Sequence, residues 1–372
     1  MGAKEAIKKN IWTIVFVILI VILTVIVIML MTSFIEPERT TVDKVGGVFI
    51  GYIDDEGWNE NHYEGMKNAC DNLGISFMIQ ENVSEDLDAC RRAVDKLIKG
   101  GCNIIFLTSD GFGEEVYPVV NDHPEVNFYT ISPESEPRNM TTYYGRMYQM
   151  RYLSGILAAT YSKSGILGFV AAMSTTQVDR SINAFLLGAR SVNPEAEVLV
   201  SYAGSWSDPE KEEELAKRLI EEGGADVITE HTSVSNAARV ADEMGIYSIG
   251  YNTKLQDHSD KYLGALVFHW ETMYSSILGD YTRGNVSQLS SYWWGSDRGV
   301  VDIEDLSPAI DRETINLIDR TEKRFAGNWD VFLGEIHSND GRLRCHANER
   351  ISDSALLFDM TWLAEGVTVY ER

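Results

Sequence analysis

Positive charge is scarce in this chain: 32 Lys and Arg stand against 56 Asp and Glu in 372 residues, a formal net charge of −24. Nucleic-acid binding needs a clustered excess of cations to neutralise phosphates, so that class of partner is excluded and an anionic ligand is disfavoured. Catalytic motifs are also missing. There is no Gly-x-Ser-x-Gly elbow, no P-loop and no Gly-x-Gly-x-x-Gly after a strand, and Gly111-Phe112-Gly113 is too short to cradle a phosphate. Cysteine is limited to Cys70, Cys90, Cys102 and Cys345. None has metal-ligand spacing, and no metal or cofactor is expected. Buried free thiols are the expectation, with a Cys70–Cys90 bridge as the alternative.

The N-terminus supplies what the rest lacks. Lys4, Lys8 and Lys9 precede residues 11–31, a run without one charge. That run is long enough to cross a bilayer, whereas a cleavable signal has a shorter apolar core of roughly 7–15 residues. A retained signal anchor is expected, with residues 1–10 cytoplasmic, 32–44 a linker and everything after about Glu36 exported, a single-pass protein of the cell membrane. A cleaved signal is the alternative. No cysteine follows the run to carry a lipid, so the helix is the tether.

The remainder is 44% hydrophobic and 24% charged overall, with length for roughly two domains. Strand-like runs at 47–53, 75–79 and 103–107 alternate with helical periodicity at 62–73 and 84–99. After a helix at 147–163 the alternation restarts, with strands at 166–172, 197–202, 226–229 and 247–251 and helices at 178–191, 209–222 and 234–244. This order predicts two α/β lobes, each a parallel sheet covered on both faces, spanning 45–160 and 161–255, with 256–372 crossing over to complete both. An internal echo agrees: Gly101-Cys102-Asn103-Ile104-Ile105 and Gly224-Ala225-Asp226-Val227-Ile228 each close a helix and open a strand.

Parallel sheets bind ligands beyond the carboxyl ends of their strands. The loops to watch are therefore 54–61, 108–113, 174–177, 204–208, 230–233 and 252–255. Trp58 and Trp206 sit at strand-to-helix junctions in different lobes, where a bare packing role leaves an indole N–H seeking a partner. Together they suit a flat heterocycle, with Asn59 offering donor and acceptor atoms to its edge. Ser207-x-x-Glu210 fits a capping box, so Ser207 or Asp208 caps the following helix. Weaker candidates are Ser109, Asp110, Phe112, Glu230, His231, Asn252 and Lys254.

These segments resemble a known family. Gly57-Trp58-Asn59 with His62, the run Arg146 to Gly155, Ile182-Asn183-Ala184-Phe185, Trp206-Ser207-Asp208-Pro209, His231-Thr232 and Gly250-Tyr251-Asn252 are similar to the basic membrane protein (BMP) substrate-binding proteins of ABC importers. The likeness runs from about Val45 to the closing Trp362 to Val367. It implies a type I periplasmic-binding-protein fold: two Rossmann-like domains, a hinge and an interdomain cleft. It implies a purine nucleoside or nucleobase as ligand and an ABC permease as partner. Trp58 and Trp206 would stack on the base, Asn59 would contact base or sugar, and Asp208, Glu230, His231 and Asn252 would line the cleft. Many relatives carry an acid near the loop that here reads Asn252-Thr253-Lys254, which favours a free base or an acceptor facing Lys254. A tethered nucleoside sensor on the same fold is the second role, and a nucleoside hydrolase the third, for which no activated nucleophile is present.

Overall fold

The computed structural model describes residues 16–24, 42–133, 136–284, 291–327 and 329–371. Strand β1 (Val45–Val48) leads into α1 (Trp58–Leu73), β2 (Phe77–Gln80), α2 (Leu87–Lys99), β3 (Ile104–Leu107), the short α3 (Tyr117–Asp122), β4 (Asn127–Thr130) and β5 (Met140–Gly145). The chain then builds a second lobe from α4 (Tyr148–Tyr161), β6 (Ile166–Ala171), α5 (Thr176–Arg190), β7 (Glu197–Tyr202), α6 (Pro209–Glu221), β8 (Val227–His231), α7 (Asn236–Glu243), β9 (Tyr247–Asn252) and β10 (Tyr262–Phe268). It returns to the first lobe with α8 (Trp270–Thr282) and β11 (Ser291–Trp294). A last crossing gives β12 (Val301–Glu304), α9 (Arg312–Phe325), a small hairpin of β13 (Ile336–His337) and β14 (Leu343–Cys345), and the edge strand β15 (Val367–Val369).

The sheets run β11-β5-β4-β3-β1-β2 and β12-β10-β9-β8-β6-β7-β15, so the order 5-4-3-1-2 of the first lobe recurs as 10-9-8-6-7 in the second. The sequence echo falls on equivalent places, ahead of β3 and β8. Gly101 and Gly224 both take left-handed backbone, at φ 91° and 76°. The residue after each, Cys102 or Ala225, donates its N–H back to a carbonyl of the preceding helix, that of Leu97 or Leu219. The strands are fully buried aliphatic runs such as Ile104–Leu107, as parallel strands covered on both faces require. Helix α2 starts at an Asp86 cap that accepts the Ala89 N–H at 2.9 Å, and it buries Cys90, Ala93, Val94 and Leu97.

Three crossings join the lobes, and backbone bonds lace them together. The first, at Arg146, donates its N–H to Trp294 O of the third at 2.7 Å; the second, at His269, donates to Val300 O of the third at 2.8 Å. The Arg146 guanidinium lies 3.9 Å over the Trp293 ring and pairs with Asp353 near the carboxyl end. The predicted completion of both lobes by 256–372 matches this topology: α8 and β11 join the first, β10, β12 and β15 the second.

All four cysteines are buried and free. A Cys70–Cys90 bridge does not form because α1 and α2 cover opposite faces of the first sheet, placing the two thiols in separate apolar clusters. Burial pushes both thiols up to about 12. Of the expected anchor at 11–31, only 16–24 falls within the described residues, where it is helical and exposed, and the rest lies outside them. No helix among the described residues is long and apolar enough to cross a membrane.

The second lobe depends on close contact between α4 and α5. A Cβ on Gly188 would lie 1.9 Å from Tyr152 O, and one on Gly155 would lie 2.0 Å from Phe185 O. Backbone cannot retreat as a flexible side chain can, so Gly188→Ala should cost about 3 kcal/mol by overpacking. Urea unfolding of the two proteins measures it; an unchanged midpoint would show that these helices can separate freely.

Candidate ligand-binding cleft

Between the carboxyl ends of the two sheets lies a cavity with about 390 Å³ of empty space, its mouth included. Each of the six strand-end loops contributes to its wall: Trp58, then Ser109 and Asp110, then Gln177, Trp206, His231 with Thr232 and Ser233, and Asn252. Ile50, Ile131, Tyr144 and Tyr251 complete it from the strand ends themselves. Sequence reasoning named the loops but passed over these last residues and Gln177, because it looked past the strands rather than at their final positions.

Trp58 occupies the first turn of α1, which begins four residues before the helical period becomes visible in the sequence. Its Nε1 donates to Thr108 O at 2.7 Å, fixing the ring. The indole also meets His62, Trp270 and Phe268 edge-on at centroid distances of 4.4, 5.5 and 5.7 Å. One aromatic wall is thus anchored on the hinge, since Phe268 and Trp270 flank the second crossing. Trp206 belongs to the other lobe and follows Gly204, whose φ of 80° turns the chain. Its carbonyl accepts from Ser233 N at 2.8 Å. Tyr144 of β5 and Tyr251 of β9 meet across the cleft, their hydroxyls sharing a hydrogen bond.

The polar groups of the cavity are few. Ser109 donates its hydroxyl to Glu85. Burial, reinforced by Glu85 and opposed by Arg180, raises the Asp110 carboxyl to about 6. His231 Nε2 lies 3.1 Å from Tyr251 OH, while its buried Nδ1 has no partner. Burial, together with Arg151 and Arg180, holds its pKa well below the usual value, so the ring is neutral. Asn252 has left-handed backbone, φ 68°, a conformation Asn tolerates better than most residues. Its Nδ2 donates to Thr232 O at 3.1 Å, and its buried Oδ1 has no partner. Buried polar atoms normally find partners, so an unpaired acceptor in a cavity wall is a place for a ligand donor.

The mouth is joined by three bonds between lobes: Trp58 N to Ser233 O at 3.0 Å, Thr253 Oγ1 to Glu56 O at 3.0 Å, and Asn61 Nδ2 to Asn252 O at 3.1 Å. Only glycine permits the first, because a Cβ on Gly57 would lie 2.2 Å from Ser233 O.

Five expected ligand contacts lie elsewhere. Asn59 is buried in α1 with its amide turned back to Asp55 and to Gly51 N, satisfying the helix start. Phe112 is wholly buried in the core beneath α2 and α3. Asp208 caps α6 by accepting from Lys211 N at 3.1 Å; the reciprocal carboxylate is Glu212, which accepts from Asp208 N at 2.9 Å, in place of Glu210. Lys254 pairs with Glu304 at 2.8 Å in the outer cleft, so no ligand acceptor faces it in the inner cavity. Glu230 is fully buried beneath the cavity, its Oε2 accepting from Ala237 N at 2.7 Å at the start of α7.

Burial, with Glu212 nearby, raises the Glu230 carboxyl to about 8. The native protein therefore keeps a proton that the unfolded chain releases near 4.5, and stability contributed by this group falls as pH rises from about 4.5 to about 8. Glu230→Gln keeps an acceptor for Ala237 N and does not titrate. Its melting temperature should decline less than that of the wild type between pH 5 and 8; parallel profiles would show that Glu230 is already ionised in the native state.

Comparison with known proteins places this geometry. The chain is 34% identical over 328 residues to a purine-binding protein of Brucella abortus, covering 87% of this chain and 92% of that one. It is 30% identical to a putative ABC transporter glucose-binding protein of Haloferax volcanii, covering 86% and 79%. Among solved structures, a transcriptional activator of the comK gene from Bacillus halodurans superposes with a TM-score of 0.66 at 25% identity, over 77% of this chain and 98% of that one. Residues 42–329 match the family described as ABC transporter substrate-binding protein, PnrA-like, so the chain belongs to the Bmp family of substrate-binding proteins.

Proposed function

We propose that this protein captures a purine base or nucleoside between its lobes, with Trp58 and Trp206 against the heterocycle, and passes it to the permease of an ABC importer. The family is one of substrate-binding proteins and not of enzymes. The observation that carries the purine is the character of the cavity wall: aromatic rings from both lobes, an unpaired Asn252 Oδ1, and no Lys or Arg. Such a wall suits a neutral planar molecule with N–H donors and offers nothing to a phosphate. The relative named as purine-binding supports this choice, whereas the one named as putatively glucose-binding makes a sugar the competing ligand. Residues 11–31 would tether the lobes to the outer face of the membrane, the N-terminus remaining in the cytoplasm. A sensing role on the same cleft is the second reading, favoured by the likeness to a transcriptional activator; the membrane protein that co-purifies with the full chain, permease or signalling receptor, separates the two.

Calorimetry with adenine, adenosine, guanosine, inosine and hypoxanthine should give micromolar or tighter binding to at least one, AMP should bind more weakly than adenosine, and glucose should give no heat. Silence with every purine, or a glucose signal, removes the proposal. Truncating one stacking ring costs roughly 1–3 kcal/mol, so Trp206→Ala should weaken binding about 5- to 150-fold.

Asp110 adds a pH signature. As a carboxylate it accepts from a ligand N–H or hydroxyl, and it is protonated as pH falls through about 6. Affinity should fall below pH 6 in the wild type and stay level in Asp110→Asn. Identical pH profiles would exclude Asp110 from ligand contact.

A further inference from the structure

Away from the inner cavity, at the second lobe's end of the hinge, three metal-ligating side chains converge that binding of a purine does not use. Strand β12 puts Asp302 and Glu304 on one face, because side chains two apart in a strand point the same way. Asp302 pairs with Val267 of β10, and His269 follows two residues further, fixed by its N–H bond to Val300 O at 2.8 Å. His269 Nε2 therefore lies 3.7 Å from Asp302 Oδ2 and 3.7 Å from Glu304 Oε1, and the three donor atoms all lie within 4.8 Å of one another. All three residues are half-buried.

We propose that His269, Asp302 and Glu304 form a binding site for a divalent cation of the zinc class. Zinc holds nitrogen and oxygen ligands at roughly 2.0–2.2 Å, which sets tetrahedral neighbours roughly 3.3 Å apart. Small side-chain rotations bring each carboxylate oxygen that far towards the imidazole. One neutral imidazole with two carboxylates is a borderline donor set, better matched to zinc than to the all-oxygen shells of magnesium or calcium. The cluster borders the outer cleft, about 1980 Å³ of largely open space between the lobes, so a fourth position remains open to water. A bound cation ties the end of β10 to β12, the second crossing to the third. In its absence part of the negative charge is met by Lys254, whose ammonium lies 2.8 Å from Glu304 Oε2, the oxygen turned away from His269. That lysine side chain is 48% exposed and free to swing into solvent, so it acts as a competitor for the cation.

The test is zinc titration of the chelator-stripped full chain, by calorimetry and by competition with a coloured chelator. The expected result is one saturable zinc ion per chain, weakened at least 10-fold by His269→Ala and by the near-isosteric Asp302→Asn, and tightened several-fold by Lys254→Ala. His258, which pairs with Asp305 at 3.0 Å, provides the control: His258→Ala should leave stoichiometry and affinity unchanged. Melting curves in chelator establish that each variant is folded, and Asp302→Asn gives the reading should His269→Ala fail to fold. Absence of saturable uptake by the wild type, or affinity unchanged in folded His269→Ala or Asp302→Asn, overturns the site. Because the readout is zinc and not purine, failure here leaves the ligand proposal standing.

Discussion

Three crossings of the chain hold the carboxyl ends of two parallel sheets face to face, and the cleft depends on that constraint. A single linker would leave the lobes free to rotate; three strands laced by the Arg146–Trp294 and His269–Val300 bonds restrict them to opening and closing about one axis. The hinge also shapes the cavity. Phe268 and Trp270, on either side of the second crossing, stack at 4.6 Å and support the edge of Trp58. The aromatic wall is therefore built on the pivot, while the opposite wall at Trp206 travels with the second lobe.

Closure exposes the ligand to an environment with little competing polarity. His231 is kept neutral, Asp110 is poised near 6, and Glu230 is held back from the cavity at the start of α7. The fully buried Arg151 sits among these groups, with Thr229 Oγ1 and Glu230 O as acceptors and the Tyr251 ring 4.3 Å away. Its fixed positive charge helps keep His231 unprotonated. Burying an unpaired charge is costly, so this guanidinium, with its partners, specifies one arrangement of the floor beneath Tyr251. Polarity is thereby spent beneath the cavity and withheld from its wall.

Much of the architecture was legible because it is local. Buried aliphatic strands separated by capped helices announce a parallel sheet, and the echo at Gly101 and Gly224 marks equivalent turns of two lobes. The loops that line the cavity follow from strand direction alone. Helix starts were less legible: α1 begins at Trp58 because Asp55 accepts N–H groups from Gly57, Asn59 and Glu60, a cap invisible to hydrophobic periodicity. That displacement turned Asn59 from a loop residue into a buried helix-start residue.

The sequence by itself determined which loops gather at the strand ends, which lobe each tryptophan belongs to, and the shortage of positive charge that disfavours anionic ligands. Tertiary structure alone decided which side chains of those loops face the ligand. Asp208 and Lys254 look like contacts in one dimension, but one is taken by the N–H groups of its own helix and the other by Glu304, fifty residues away. Tyr144 and Tyr251 look like strand residues and become the floor of the cleft, because only the crossing of the chain brings β5 opposite β9. A side chain's partner is settled by proximity in space, and proximity between lobes is fixed by the hinge, which no local pattern encodes.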